Sequence, residues 1–215
     1  MAKTILVATP YDSTWVEPFQ HALKKLGYSA TFFDYRNLWG NFRYHPWLFG
    51  ACLLKVKKSL INPLHPKGKI KLLNQLLIST CRQLRPQYLL VIKGESLTKA
   101  TIQTVNELGI TTLLWQVDPV FDPAIWRYTQ SVGRAYQVYI TCEPEPVITK
   151  LKRAGFNKVA YMLGAADGST MRQLNLPKIY DVTLVGTCHP NREKYLAKLI
   201  GLDVLIWGWG TWPTS

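Results

Sequence analysis

The chain has 215 residues, of which 47% are hydrophobic and 18% charged, and its 26 Lys and Arg against 13 Asp and Glu give a formal net charge of +13. An apolar fraction of this size supports a buried core and excludes wholesale disorder. The sequence has no apolar run long enough to span a membrane, and its first apolar stretch lacks the features of a signal peptide, so it predicts a globular, cytoplasmic protein.

Eight short apolar runs alternate with helical stretches along the chain. Such runs of Val, Ile, Leu and aromatic residues are typical of strands in a parallel sheet that is buried on both faces. Helices are predicted between them, ending at Gly27, Gly109 and Gly155. This alternation predicts an α/β fold, a Rossmann-like doubly wound parallel sheet. The predicted strands are residues 4–8, 29–33, 88–92, 111–117, 136–140, 158–162, 181–185 and 203–207.

The spacing of the elements predicts two domains. Residues 35–86 are longer than an ordinary crossover and form a predicted helical insertion within a first domain over 1–165. Residues 166–180 are polar, contain several helix breakers and are predicted to be a linker. A new strand–helix–strand pattern over 181–215 predicts the start of a second Rossmann-like domain, with the remainder of that domain outside this chain.

Motifs for metals and cofactors are lacking. The four cysteines have no metal-ligand spacing and are predicted to be reduced thiols, and the four histidines are isolated in the sequence. Neither a GxGxxG motif after the first strand nor a P-loop occurs, which disfavours a dinucleotide oxidoreductase or a P-loop enzyme. We therefore expect no metal and no cofactor.

The candidate functional residues lie in the loops that follow the predicted strands, because ligands of open parallel sheets bind at the carboxyl ends of the strands. Carboxylates concentrate in these loops although acidic residues are scarce in the chain. The candidates for substrate binding or catalysis are Tyr11, Asp12, Lys93, Gly94, Glu95, Asp118, Glu143 and Asp167.

Two of the carboxylates each have two interpretations. Asp118 is either a general base or a partner for a sugar hydroxyl, or it caps a helix that begins near Pro123. Glu143 either binds substrate or stabilises the N-terminus of a helix predicted from Pro144.

The segment after the third strand is also open to two interpretations. Lys93 and Glu95 either bind substrate or belong to an ordinary helix start with Ser96 and Lys99. Gly94 indicates a tight turn or a close approach of the backbone.

A third candidate site follows the strand at 181–185. Gly186 and Thr187 leave this strand just before a predicted helix N-terminus, which suits a phosphate group, and Arg192 lies in the first helical turn. An ordinary strand-to-helix connection with a solvated Arg192 is the alternative.

Several segments in order resemble the spore maturation CgeB-like glycosyltransferases. The similarity begins with the run FNKVAYMLGAADGST, which is followed by YDVTLVGTCHPNREKYLAKL and DVLIWGWGTW. In that family a strand carrying "DV.FVG" is followed by an Arg-containing helix start and then by a "G.GW" element. RPQYLLVIKGESL and TTLLWQVDPVFD are similar to its "PD.(V/L)(V/I).KG" and "T..W..DDP" segments. The similarity covers roughly residues 80–212.

The resemblance implies a GT-B glycosyltransferase, with two Rossmann-like domains and no bound metal. A nucleotide-sugar donor would be held chiefly by the C-terminal domain, with Gly186, Thr187 and Arg192 near the diphosphate. The acceptor, a glycan, protein or lipid-linked molecule, would be held chiefly by the N-terminal domain. Asp118 would take the place of the "DDP" acids, and Asp118 or Asp12 would be the base of an inverting reaction.

The chain departs from the family pattern in two ways. Val117 stands where the first acid of the "DDP" pair is expected, and most of the donor domain that the resemblance implies is expected to lie outside this chain. We therefore expect this chain by itself to be inactive.

The predicted insertion is strongly basic. Eleven Lys and Arg and no acidic residue lie between Asp34 and Glu95, next to several aromatic residues. Residues 39–71 have three interpretations. They bind peripherally to an anionic membrane surface, at the inner face of the membrane, or they form a groove for an anionic polymer. The third interpretation is two packed helices, over 47–61 and 67–84, whose lysines are solvated. Nucleic acid is disfavoured because no nucleic-acid-binding motif is present. The alternative to an enzyme is thus a non-catalytic α/β module that binds an anionic polymer or membrane through this basic face.

Overall fold

The computed structural model describes residues 3–10, 16–36, 66–188 and 190–208. The chain divides into two compact units, Met1–Asp167 (unit 1) and Gly168–Ser215 (unit 2).

Unit 1 contains six strands with helices between them. The strands are β1 (Lys3–Ala8), β2 (Tyr28–Phe33), β3 (Tyr88–Ile92), β4 (Thr111–Gln116), β5 (Val138–Thr141) and β6 (Val159–Tyr161). The helices of the described residues are α1 (Val16–Lys25), α2 (Pro66–Leu84), α3 (Lys99–Glu107), α4 (Pro123–Ser131) and α5 (Val147–Arg153), with a 3₁₀ turn at Gly133–Ala135.

All six strands are parallel and pair in the order β2-β1-β3-β4-β5-β6. The predicted Rossmann-like doubly wound sheet is therefore confirmed. The strand order reverses between β1 and β3, so the loops after these two strands lie at the topological switch point, where open α/β sheets bind ligands.

Two apolar layers bury the sheet, because successive residues of each strand point to opposite faces. On one face, Leu6, Leu89 and Leu114 pack with side chains of α2 and α3. On the other face, Val7, Ile92 and Trp115 pack with side chains of α1. The strands are apolar on both faces because helices cover both sides of the sheet.

Unit 2 is small and open. It contains β7 (Val182–Val185), α6 (Pro190–Leu196), a 3₁₀ turn at Ala197–Leu199 and β8 (Val204–Trp207). β7 and β8 form a two-stranded parallel sheet. None of the described residues of unit 2 is buried.

Candidate functional site

The carboxyl edge of the unit 1 sheet gathers five of the predicted site residues. Lys93, Gly94 and Glu95 follow β3, Asp118 follows β4, and Glu143 follows β5. The three strands are neighbours in the sheet. Two further predicted site residues, Tyr11 and Asp12, lie outside the described residues.

The centre of this edge is an ion pair between two of the candidates. Lys93 Nζ lies 2.8 Å from Asp118 Oδ2, and the two side chains are 29% and 37% exposed. This pair joins the loops after β3 and β4. A partly exposed carboxylate and ammonium at hydrogen-bond distance can together offer one acceptor and one set of donors to a polar ligand.

The backbone at Lys93 adopts an uncommon conformation. Lys93 has φ of 65°, and the Gly94 N–H donates to the Ile92 carbonyl at 2.9 Å. A hydrogen bond between residues i and i+2 around a residue of positive φ is that of a strained γ-turn. A non-glycine residue in this region costs about 1–2 kcal/mol, and such residues cluster at functional sites.

Gly94 lies beneath two tyrosine hydroxyls. A Cβ on Gly94 would lie 2.7 Å from Val91 Cγ1, 2.8 Å from Tyr128 Oη and 3.3 Å from Tyr136 Oη. Its φ of 77° adds a second requirement for glycine. The predicted close approach of the backbone at Gly94 is thus present, and the group that it approaches is a pair of side chains.

Glu95 is held by two residues that follow β2. Arg36 Nη2 lies 3.2 Å from each Glu95 carboxylate oxygen, and Tyr35 Oη lies 3.1 Å from Oε2. Burial and the nearby Glu95 carboxylate raise the pKa of Tyr35 above its ordinary value. Burial likewise raises the pKa values of Tyr128 and Tyr136, so these hydroxyls stay protonated at neutral pH.

The helix starts near the site are capped by other residues. Asp122 caps α4, accepting hydrogen bonds from the Ala124 and Ile125 N–H groups, so the interpretation of Asp118 as that cap is wrong. Helix α3 begins at Lys99, as expected, and its cap is Thr98 rather than Ser96. Asp118 is thereby left without a helix-capping role.

Glu143 is hydrogen-bonded to the loop that follows β4. Its Oε2 accepts from the Val120 N–H at 2.7 Å. Helix α5 begins at Val147, later than predicted, and it is Glu145 that accepts from the first helical turn, at the Thr149 N–H. The alternative of Glu143 as a helix-capping acid is therefore wrong.

Beneath Asp118 lies a buried amide. The Gln116 side chain is fully buried, its Oε1 accepts from the Asp118 N–H at 3.3 Å, and its Nε2 has no hydrogen-bond partner within the described part of the chain. Cys142 lies nearby and donates from Sγ to the Val117 carbonyl at 3.3 Å. Burial, followed by the Glu143 carboxylate, raises the pKa of the Cys142 thiol, which disfavours its reactive thiolate form.

Asp167 contacts helix α1. Its Oδ2 lies 3.2 Å from His21 Nδ1 on that helix, and the Asp167 side chain is only 10% exposed. The structure thus places Asp167 on the α1 side of the sheet, where it joins the end of unit 1 to its first helix.

In unit 2 the three predicted phosphate ligands are neighbours. Arg192 Nη1 donates to the Thr187 carbonyl at 2.7 Å, and a Cβ on Gly186 would lie 2.5 Å from the same nitrogen. Gly186 therefore makes room for the guanidinium. Its own N–H donates to the Trp207 carbonyl at 2.8 Å.

No group of three His, Cys, Asp or Glu side chains that could hold a metal ion occurs among the described residues. No helix within these ranges is both long and apolar enough to cross a membrane.

A solved structure shows a similar fold. The chain is similar to the crystal structure of Acinetobacter baumannii MurG, with a TM-score of 0.51 and 11% sequence identity over 99% of this chain and 67% of that one. No protein-family model matches the chain, and no curated protein matches it. These comparisons support a GT-B glycosyltransferase fold, and they give no support to the CgeB-like resemblance in particular.

Several residues of this edge are not among the candidates that the sequence indicates. Tyr35 and Arg36 fall in the predicted insertion, and Gln116 falls within a predicted strand. The available signal is a polar group at or just after the end of an apolar strand, since Gln116 is the last residue of β4 and Tyr35 lies two residues after β2.

Proposed function

We propose that this chain is part of a GT-B-type glycosyltransferase that transfers a sugar from a nucleotide-sugar donor to an acceptor hydroxyl. The observation that carries the proposal is the Lys93–Asp118 ion pair at the carboxyl edge of a Rossmann-like sheet. The fold similarity supports the reaction class, since this edge is where such sheets bind ligands.

In this proposal unit 1 binds the acceptor. The second oxygen of Asp118 has no partner among the described residues, so it can accept a hydrogen bond from an acceptor hydroxyl. Lys93 Nζ, 2.8 Å from the first oxygen, holds the Asp118 side chain in position. Asp118 then orients the hydroxyl for attack and is the candidate base if the anomeric centre inverts.

Unit 2 would bind the donor diphosphate. Arg192 offers a planar guanidinium suited to phosphate oxygens, and Gly186 lets it approach the backbone closely. Binding the diphosphate would replace the hydrogen bond to the Thr187 carbonyl. These three residues would offset the charge that develops on the leaving group without a metal.

The CgeB-like family and a membrane contact belong to the same proposal. Membership of the CgeB-like family rests on the sequence motifs alone. Contact with an anionic membrane surface through residues 39–71 rests on their composition, and of that stretch only residues 66–71 are described.

A charge-matched pair of variants tests the acceptor site. Nucleotide-sugars and simple glycosides are screened against the chain by thermal shift and saturation-transfer NMR. We expect Asp118→Asn to weaken glycoside binding by about tenfold or more, since a hydrogen bond to a charged group is lost. Asp122→Asn removes an equal charge four residues away but keeps a good helix cap, so it is expected to bind normally. Binding that is unchanged in Asp118→Asn would overturn the acceptor site.

The second candidate function is a non-catalytic module for anionic polymers. It is favoured by α2, which contains no acidic residue and exposes Lys69, Lys71 and Arg82. Binding to heparin that falls steeply with salt, together with no response to any nucleotide-sugar, would select this function over glycosyl transfer.

A further inference from the structure

The turn at Lys93 is strained and needs support from the rest of the molecule. With φ of 65°, Lys93 occupies a conformation that L-residues avoid. Its side chain nevertheless reaches Asp118 Oδ2 at 2.8 Å. If the turn relaxed to negative φ, the direction of the Cα–Cβ bond would change and the ammonium would move away from Asp118.

One buried hydroxyl bonds the peptide groups on both sides of Lys93. Tyr35 Oη donates to the Ile92 carbonyl at 2.8 Å and accepts from the Gly94 N–H at 3.2 Å. Ile92 and Gly94 are the two neighbours of Lys93. The Tyr35 hydroxyl therefore reinforces the same two groups that close the γ-turn.

We infer that Tyr35 is a positioning residue for Lys93: its hydroxyl holds the strained turn that directs the Lys93 ammonium to Asp118. The effect of Tyr35 on ligand binding rests on the proposed function, whereas its effect on Lys93 does not.

The location of Tyr35 makes this support rigid. Tyr35 follows β2, while the turn follows β3, and β1 lies between these strands. The side chain therefore spans the end of β1 at the topological switch point. Tyr35 is fully buried in the same apolar cluster as Ala8 and Val91, so its ring has little freedom to move.

A second contact holds the same two loops together. Arg36 Nη2 lies 3.2 Å from both carboxylate oxygens of Glu95. The Arg36 N–H donates to Asp34 Oδ1 at 2.9 Å, which fixes the backbone before it. Because Arg36 and Glu95 are partly exposed, this pair contributes less than the buried hydroxyl.

Removing the Tyr35 hydroxyl tests the inference. Tyr35→Phe keeps the ring and loses both hydrogen bonds to the turn, together with the contact between the hydroxyl and Glu95 Oε2. The rate at which each lysine is acylated by a small N-hydroxysuccinimide ester is measured by peptide mass mapping of the folded chain. We expect Lys93 to react about three- to tenfold faster in Tyr35→Phe, because its ion pair is loosened. Lys99 and Lys150 are expected to react as before.

Tyr139→Phe is the matched control. Tyr139 is equally buried, and its hydroxyl contacts Thr129 Oγ1 at 3.1 Å, away from the turn. This variant loses a buried hydroxyl and should leave the Lys93 rate unchanged. Arg36→Gln, a change on the surface, should raise the Lys93 rate by a smaller factor of about two. This variant tests the inference if Tyr35→Phe does not fold.

The outcomes separate the inference from the proposed function. A Lys93 rate that is unchanged in Tyr35→Phe and in Arg36→Gln, or that rises equally in Tyr139→Phe, overturns the positioning role. A faster Lys93 without any glycoside binding to the unmodified chain confirms the positioning role and contradicts the acceptor site.

Discussion

At position 94 both backbone conformation and packing require glycine. An alanine there would have φ of 77° and a Cβ 2.7 Å from Val91 Cγ1. We expect Gly94→Ala to lower the free energy of unfolding by about 2–5 kcal/mol, the sum of a left-handed alanine and an overpacked core. Urea denaturation at neutral pH measures this change.

Gly155 provides the comparison for Gly94. Its φ is 89°, yet nothing lies within 4 Å of the position that a Cβ would take. Gly155→Ala should therefore cost only the backbone contribution, about 1–2 kcal/mol. An equal loss of unfolding free energy in the two variants would mean that the side chains around Gly94 move aside at no cost in free energy.

The individual candidates at the carboxyl edge can be predicted from sequence, but their pairing cannot. Lys93 and Asp118 are both expected there because each follows an apolar run. Their contact depends on the positive φ of Lys93 and on the register of β3 with β4. No local pattern encodes either. Tyr35 escapes prediction because its hydroxyl acts on residues 57 and 59 positions away in sequence.

Among the contacts between elements, Asn74 joins α2 to the start of α3. It is 5% exposed. Its Nδ2 donates to the Ile70 and Ser96 carbonyls at 2.8 and 2.9 Å. Its Oδ1 accepts from the Thr98 N–H and the Thr101 hydroxyl at 3.0 and 2.6 Å. Every hydrogen-bonding group of the amide is thus satisfied.

Replacing Asn74 tests how strongly these two elements depend on it. Asn74→Ala removes the Asn74 bonds to the Ser96 carbonyl and the Thr98 N–H and one of the two partners of the Thr101 hydroxyl, so we expect a loss of about 2–4 kcal/mol in the free energy of unfolding. The exposed neighbour Gln75→Ala should change it by less than about 0.5 kcal/mol. A small effect of Asn74→Ala in guanidinium unfolding would show that water replaces the lost bonds.

Element positions are predictable because the apolar pattern is strong. The predicted strand over 88–92 coincides with β3, and the predicted strand over 203–207 differs from β8 by one residue. The helix predicted from Pro144 begins instead at Val147, because Pro144 and Pro146 belong to the turn before it. The predicted helix over 47–61 lies outside the described residues.

For the whole molecule, buried phenols contribute to the response to high pH. Burial raises the pKa values of Tyr35, Tyr128, Tyr136 and Tyr139 above their ordinary value. Below about pH 10 these phenols are protonated in both the folded and unfolded states, and the full stability is present. Above it the unfolded chain loses protons that the folded chain retains, so the free energy of unfolding falls as pH rises.

Each buried phenol should contribute up to about 1.4 kcal/mol per pH unit to this fall. Urea unfolding at several values between about pH 9 and pH 11 measures the slope. Tyr139→Phe removes one phenol, so its slope should be shallower by that amount. A slope equal to that of the unmodified chain would mean that Tyr139 ionises alike in both states.

Unit 2 differs from unit 1 in how much of its apolar surface is covered. Val185, Ile200 and Trp207 are 80%, 90% and 48% exposed, whereas Leu89 and Leu114 in unit 1 are fully buried. Parallel strands ordinarily need cover on both faces, and a two-stranded sheet is marginal by itself. We therefore expect the backbone amides of β7 and β8 to be weakly protected.

Hydrogen exchange followed by mass spectrometry measures this difference. Amides of β7 and β8 should exchange at least about 100-fold faster than those of β3 and β4, because local opening of unit 2 exposes little additional apolar surface. The comparison is internal to one sample, so it needs no variant. Equal protection in the two sheets would show that unit 2 is covered in solution.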